Sequence, residues 1–442
     1  MTNVSSKANT FGPIPARYVA AVVVGNALEF YDFLTYAFFA VYIGRAFFPS
    51  SSPTSSLLAS LGAFGAGFIT RPVGGLVIGT MGDRVGRKPA MILSFSLMGI
   101  AIVGLAATPP HAMIGVAAPL LVVGFRMLQG FALGGNVGPT TAFLLEAAPP
   151  ERRGFYTAFQ SWTQDLSVLI AGLVGFLLAS LLSEHQLETF GWRIAFLLGA
   201  AIVPFGLILR HRLPETFYAD AKSNPERTAL RPYLFVALFG GLLLASATIG
   251  TYIASYMTTY AIATLHMTAK IAFAATIVVG IAGIAFDLVS GALSDRIGRK
   301  ATMIIPGIAL LLLIFPSFYA LDHHRTTAML LGATAVLYSL SALSTTPILI
   351  WLTESLPAAI RSGGVATVYA VAIAIFGGTT QYSVTWLIKT TGNPEAPAWY
   401  WAVAALVGLA AMLAIHETAP RKLAQNRGAP GAMSDENDAV FR

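Results

Sequence analysis

The chain contains no cysteine. Disulfides, Cys-ligated zinc, iron–sulfur clusters and a cysteine nucleophile are therefore excluded. Charge is also scarce. Asp, Glu, Lys and Arg make up 11% of the 442 residues, where about 25% is usual for a soluble domain. So few charges cannot cover a water-facing surface of this size. With 56% of the residues hydrophobic, lipid has to cover part of the molecule. Histidine is missing from the middle of the apolar runs: His111, His185, His211, His266, His323, His324 and His416 fall in loops or at run ends. A histidine relay at mid-membrane is thereby excluded, and a coupled proton would have to ride on a carboxylate. No metal-ligand cluster, catalytic triad or nucleotide-binding loop is present, so no enzyme activity, cofactor or metal is expected. The net charge of +7 punctuates the apolar runs and is not pooled on one domain. That pattern argues against a nucleic-acid partner and reads as membrane topology.

A membrane-crossing helix needs about 20 mostly apolar residues. The runs that qualify are 17–43, 56–81, 89–107, 116–146, 154–182, 192–210, 231–262, 268–293, 301–320, 326–354, 364–389 and 397–415. They predict an all-α membrane protein with twelve transmembrane helices. The first run is too long for the apolar core of a signal peptide and reads as a retained span. One long polar connection, 211–230, divides the chain into a six-helix half at 17–210 and a second at 231–415. A short segment, 1–16, precedes them. A tail, 416–442, follows; rich in Gly, Asn, Asp and Glu, it reads as disordered. Of the 27 Lys and Arg, 20 fall on segments that share a side with the N-terminus. Five (Arg45, Arg193, Lys270, Arg325 and Lys389) fall on the other side, and Arg71 and Arg126 lie within spans. That bias predicts both termini in the cytoplasm.

An internal repeat supports two related halves. Gly82-Asp83-Arg84-Val85-Gly86-Arg87-Lys88 recurs as Ser294-Asp295-Arg296-Ile297-Gly298-Arg299-Lys300, each copy between the second and third spans of its half. Glu146 precedes Arg153 by the same interval that separates Glu354 from Arg361, after the fourth span of each half. The loop Gly79-x-x-x-Asp83-Arg84-x-Gly86-Arg87-Lys88 and its copy from Gly291 resemble the signature of the major facilitator superfamily. Gly25-Asn26-x-Leu28-Glu29-x-Tyr31-Asp32-Phe33, Arg71-Pro72-x-Gly74 and Arg126-x-Leu128-Gln129-Gly130-Phe131 are similar to its metabolite:proton symporters. Thr10-Phe11-Gly12, Gly154-Phe155-Tyr156, Gln160-Ser161, Ala374-Ile375-Phe376-Gly377-Gly378 and Thr391-Gly392 resemble the citrate and tricarballylate members. The resemblance implies the major facilitator fold and transport by alternating access. Two positions depart from the pattern: Asn136, where such symporters usually carry an acid, and Asp287, where an apolar or amide residue is expected.

A charge at mid-membrane costs roughly 2.5–3.5 kcal/mol on insertion scales, so one that persists has a partner or a cavity. Glu29 and Asp32, three residues apart, share a helix face about 18–22 Å beyond Arg17 at a rise of 1.5 Å per residue. They read either as a proton-carrying pair or as a link between helices. Asp165 is the third proton-carrying candidate, with a structural hydrogen bond as the alternative. Arg126 suits a substrate carboxylate, because guanidinium offers two parallel hydrogen bonds; a permanent bridge to Asp32 or Glu29 is the competing reading. Arg71 is a second candidate cation, weighted toward helix packing. Gln160, Gln164, Asn136, Tyr36, Tyr252, Tyr256 and Gln381 offer neutral hydrogen bonds. Tyr252, Tyr256 and Tyr260 share a face, a pattern commoner in packing than in ligand contact.

The loop residues Asp83, Arg84, Arg87, Asp295, Arg296 and Arg299, with Glu146, Arg153, Glu354 and Arg361, are gating candidates. Their acids are able to pair with a cytoplasmic arginine or cap a helix of the opposite half. A plain basic stop-transfer loop is the alternative. The expectation is a monomeric proton-coupled symporter of the bacterial inner membrane. Its partners are protons, the lipid bilayer and a small organic anion, with citrate or a related tricarboxylate first on resemblance. A dicarboxylate, an aromatic acid or a zwitterionic osmolyte is the alternative cargo, and a transporter-like receptor the alternative class.

Overall fold

The computed structural model describes residues 16–84, 87–134, 137, 141, 144, 145, 148–201, 204 and 233–427; side chains are described for these except 16–23, 25, 26, 29, 79, 80, 82–84, 87–91, 358–360, 362 and 424–427. The predicted linker 211–230 lies outside them. The first half comprises α1 (Ala16–Phe38), α2 (Ala40–Phe47), α3 (Pro53–Ile69), α4 (Arg71–Arg84), α5 (Arg87–Ala107), α6 (Ala117–Leu133), α7 (Phe159–Leu181) and α8 (Trp192–Gly199). The second comprises α9 (Leu234–Ala263), α10 (Ala269–Ile297), α11 (Arg299–His323), α12 (Thr327–Glu354), α13 (Ala358–Ala372), α14 (Gly378–Thr391), α15 (Ala396–Ala414) and α16 (Pro420–Arg427). No strand occurs among the described residues. Eight helical segments among them are long and apolar enough to cross a membrane, and Ile92–Ala107 and Ala117–Leu133 are shorter apolar helices. Followed in order, the helices fall on the twelve predicted spans.

Local sequence explains most of the breaks. Pro53 opens α3 just after an extended Ser52, since a proline at the first turn forfeits no intrahelical bond. Gly298 turns the chain between α10 and α11 at a φ of 102°, a backbone region that disfavours side chains. The run 17–43, expected as one helix, is interrupted at Phe39 and continues as α2. The run 364–389 contains a π-helical turn, Ile373–Gly377, between α13 and α14.

One expectation is corrected. Part of the tail read as disordered is ordered. Glu417 Oε1 accepts from the Arg299 backbone N–H at 2.8 Å and Glu417 Oε2 from that of Lys300 at 3.1 Å. Pro420–Arg427 then forms α16 against the end of α10. The first N–H groups of α11 have no partner within their own helix, and that need outweighs the polar composition of the segment.

The polarity of the bundle is inverted relative to a soluble protein. Leu76, Leu120, Leu181 and Leu312 are exposed, whereas Asp32, Arg126, Gln129, Asp165 and Asp287 are buried. With lipid as the outer solvent, this is the favourable arrangement: apolar side chains face hydrocarbon, and polar groups find partners inside. The two halves meet along α7 against α10, α3 against α14, and α1 against α9. A Cβ added at Gly65 would lie 2.6 Å from the Gly378 carbonyl oxygen, so α3 and α14 approach closely only as glycine against glycine.

Candidate functional site

The first polar cluster lies within the first half. Arg126 on α6 donates through Nη1 to Gln129 Oε1 at 2.7 Å, and Gln129 Nε2 donates to Asp32 Oδ2 on α1 at 2.6 Å. Asp32 and Arg126 therefore do not pair directly; a neutral amide stands between them. An amide suits that position because its oxygen accepts while its nitrogen donates. The Arg126 guanidinium sits over the rings of Phe33 (4.3 Å), Tyr36 (4.6 Å) and Phe64 (5.0 Å). Aromatic faces stabilise a desolvated cation. Arg126 Nε and Nη2 and Asp32 Oδ1 meet no hydrogen-bond partner. The Tyr36 hydroxyl donates to the Ser60 carbonyl at 3.2 Å.

Arg71 stands beside this cluster, stacked on Phe33 at 4.1 Å and Phe68 at 4.3 Å. A close crossing of α4 and α6 sets its position. A Cβ at Gly134 would overlap the Arg71 carbonyl, and one at Gly130 would overlap that of Gly67. A side chain at Gly134 would push the two arginine-bearing segments apart, and one at Gly130 would push α3 from α6.

Arg71 also lines a cavity of about 110 Å³ between the halves, together with Gln164, Asp165, Tyr252, Asp287 and Tyr338. A water needs roughly 10–15 Å³ of such space, so several waters or a small carboxylate fit. Two acids from opposite halves meet here. Asp165 on α7 and Asp287 on α10 line the same cavity, with the Asp165 carboxyl against Gly283, one helical turn before Asp287. The Tyr338 hydroxyl on α12 donates to Asp165 Oδ1 at 2.6 Å, and the Thr346 hydroxyl lies 2.6 Å from Asp287 Oδ1. A Cβ at Gly283 would overlap the Asp165 carboxyl; the missing side chain makes room for it.

A family profile described as Major Facilitator Superfamily matches residues 22–378. The chain belongs to the major facilitator superfamily. The citrate-proton symporter of Salmonella typhi is 36% identical over 424 residues, spanning 93% of this chain and 95% of that protein. The citrate-proton symporter of Klebsiella pneumoniae is 35% identical, spanning 89% and 90%. The alpha-ketoglutarate permease of Escherichia coli (strain K12) is 33% identical, spanning 89% and 91%. A solved D-xylose-proton symporter aligns with a TM-score of 0.75 at 19% identity, over 91% of this chain and 98% of its own; that likeness shows the fold alone. These relatives are named as transporters, and this superfamily member is a multi-pass integral membrane protein.

The candidates read from the sequence separate in space. Arg71, Gln164, Asp165 and Tyr252 line the cavity, whereas Arg126, Gln160, Tyr36, Tyr256 and Gln381 do not. Gln160 is buried with neither amide atom hydrogen-bonded. Gln381 Nε2 donates to the Tyr252 carbonyl at 3.3 Å, and Tyr256 accepts from Thr385 Oγ1 at 3.0 Å. The tyrosine stripe thus divides: Tyr252 faces the cavity, while Tyr260 donates to the Pro394 carbonyl at 3.0 Å. Asn136 and Glu146, and the side chains of Glu29, Asp83, Arg84 and Arg87, lie outside what is described.

In the second-half loop, Asp295 accepts from the backbone N–H groups of Gly154 (2.8 Å) and Phe155 (2.9 Å) of the first half. Arg299 holds Asp295 at 2.8 Å and grips both oxygens of Glu354 at 2.9 and 3.1 Å. Arg361 donates instead to the Thr353 and Leu356 carbonyls, and Arg296 is exposed. Arg153, on the short turn beside Gly154, is half-buried.

Gln129, Asp287, Tyr338 and Thr346 in these clusters are absent from the sequence-derived candidates. Gln129 stands three residues from Arg126, on the same helix face, a spacing that signals contact. Asp287 is visible in the sequence as a departure from the family pattern, and its partner becomes apparent only when α7 and α10 are placed together.

Proposed function

We propose that this chain is a proton-coupled symporter importing citrate or a related tricarboxylate by alternating access, as a monomer in the bacterial inner membrane with both termini in the cytoplasm. The observation that carries this reading is the cavity between the halves, where one guanidinium, Arg71, shares a small buried volume with Asp165 and Asp287. The names of the relatives at 35–36% identity support the cargo and its coupling.

In this reading a substrate carboxylate docks on Arg71, with Gln164 and Tyr252 as neutral neighbours. Asp32 carries a coupled proton and Arg126 answers its charge through Gln129. Protonating Asp32 removes the negative end of that chain and releases Arg126 toward a substrate carboxylate. The Asp295–Arg299–Glu354 cluster, bonded to Gly154 and Phe155, acts as a latch between the halves.

The test is uptake of labelled citrate by proteoliposomes under an inward proton gradient. Accumulation should occur and collapse with a protonophore. Uptake that ignores the protonophore and follows sodium would refute the coupling. Competition by alpha-ketoglutarate or betaine, with none by citrate, would transfer the cargo to the alternative class.

A further inference from the structure

We propose that Asp165 and Asp287 form a single inter-half proton site, an acid pair that holds one proton between them, separate from Asp32. The proposal starts from counting hydrogens. The Asp165 and Asp287 carboxyls line one small cavity, the Asp165 carboxyl lies against Gly283, one helical turn before Asp287, and both acids are buried. Two carboxylates are acceptors only, so a hydrogen bond between them requires a proton on one of them. The neighbours do not supply it. Tyr338 spends its one hydroxyl hydrogen on Asp165 Oδ1. The Thr346 hydroxyl has one hydrogen and two acceptors in reach, Asp287 Oδ1 at 2.6 Å and the Ala342 carbonyl at 2.8 Å.

Asp287 Oδ2 meets no donor, although the residue is only 2% exposed and lines the cavity. The titratable and charged groups lining the cavity around the pair are Tyr338 from α12, Tyr252 from α9, Tyr369 from α13 and Arg71 from α4; α1 presents Phe30 and Leu34. Like charges this close cannot both remain ionised out of water. One proton takes the pair from two negative charges to one.

The position gives the proton a consequence. The pair bridges the two halves and shares its cavity with Arg71. With the proton absent, two carboxylates would repel each other across the α7–α10 seam and repel an anion from the cavity. With it present, the seam closes and the anion is admitted. This rests on the reading of the chain as an anion carrier, but the proton site itself can be tested without any substrate.

Infrared difference spectroscopy of the full-length protein in lipid, between mildly acid and alkaline pH, reads protonated carboxyls by their C=O band. Asp165→Asn and Asp287→Asn should each remove the same band, and the double variant should remove no more. Asp32→Asn should leave that band in place. Tyr338→Phe keeps both acids but removes one hydrogen bond, and should shift the band's frequency. Additive losses, or a band indifferent to these variants, would overturn the shared site. Thermal stability near wild type is the condition for reading each variant; should an acid variant fail it, the Tyr338→Phe shift still decides. In transport, protons taken up per anion should fall by one in Asp287→Asn. Wild-type protein that shows the shared band but no proton-driven citrate uptake would sink the proposed function and leave the acid pair standing.

Discussion

Arg71 and Arg126 are both buried guanidiniums in an apolar chain, yet they face different work. Arg71 lines the cavity; Arg126 is enclosed by three rings and tied to Gln129. Lysine at either position keeps the charge and loses the planar two-bond contact. Arg71→Lys should therefore weaken citrate binding about ten- to a hundred-fold, the equivalent of roughly 1.5–3 kcal/mol in charge-assisted hydrogen bonding. Calorimetric titration of protein with wild-type thermal stability checks this, and unchanged affinity would remove Arg71 from the substrate site. Asp32→Asn should behave differently: the amide mimics a protonated acid, so accumulation should vanish while exchange of citrate across the membrane persists. Wild-type accumulation by that variant would exclude Asp32 from coupling. The sequence exposes Asp32, Arg126 and Asp165 because a charge inside an apolar run is costly. It does not expose Gln129, since a neutral amide beside an arginine raises no such alarm. It ranks Arg126 above Arg71 for substrate contact, yet Arg71 is the one that lines the cavity, because helix phase around a cavity is a tertiary property.

Among the elements, α7 and α10 form the most consequential seam, with Gly172, Gly280, Gly283 and Gly291 all allowing close approach. The Asp295 cluster fastens one end of it. The repeat in the sequence identifies this loop, and its contact with Gly154 and Phe155 is of the helix-capping kind expected of it. Asp295→Asn should slow turnover several-fold with little change in citrate affinity, since these residues lie well away from the cavity lining. Kinetics of uptake and equilibrium binding, measured on the same preparation, separate the two effects; a large loss of affinity in folded protein would place Asp295 in the binding site. Glu417 and α16 show where composition misleads. The tail is polar enough to read as disordered, but the open N-terminus of α11 supplies what orders its first residues.

At the scale of the molecule, the twelve spans and their pairing into halves are legible because hydropathy and the duplicated loop are long-range signals that survive local ambiguity. The cavity is not, since it depends on which faces of α4, α7, α9, α10 and α12 converge. One contact between the halves lies at the other end of the spans from the Asp295 cluster: Lys389 donates to Ser55 at 2.9 Å. If the halves rock, this end must part once per cycle. Because the chain lacks cysteine, Ser55→Cys with Lys389→Cys introduces the only two thiols. A short reducible bifunctional thiol reagent should then abolish uptake, and reduction should restore it. Full transport while cross-linked would mean that this end stays shut throughout.

The amide between Asp32 and Arg126 has a further consequence. Its two ends are chemically opposite: Nε2 donates to Asp32 and Oε1 accepts from Arg126. A proton on Asp32 Oδ2 would turn that acceptor into a donor and favour the amide rotated by half a turn, oxygen toward the acid, whereas a proton on the unpartnered Oδ1 would leave the amide in place. That rotation presents N–H groups to a guanidinium that has only N–H groups to offer. An amide turned in that way would pass the arrival of a proton, which has almost no bulk, on to an arginine side chain, which has a great deal.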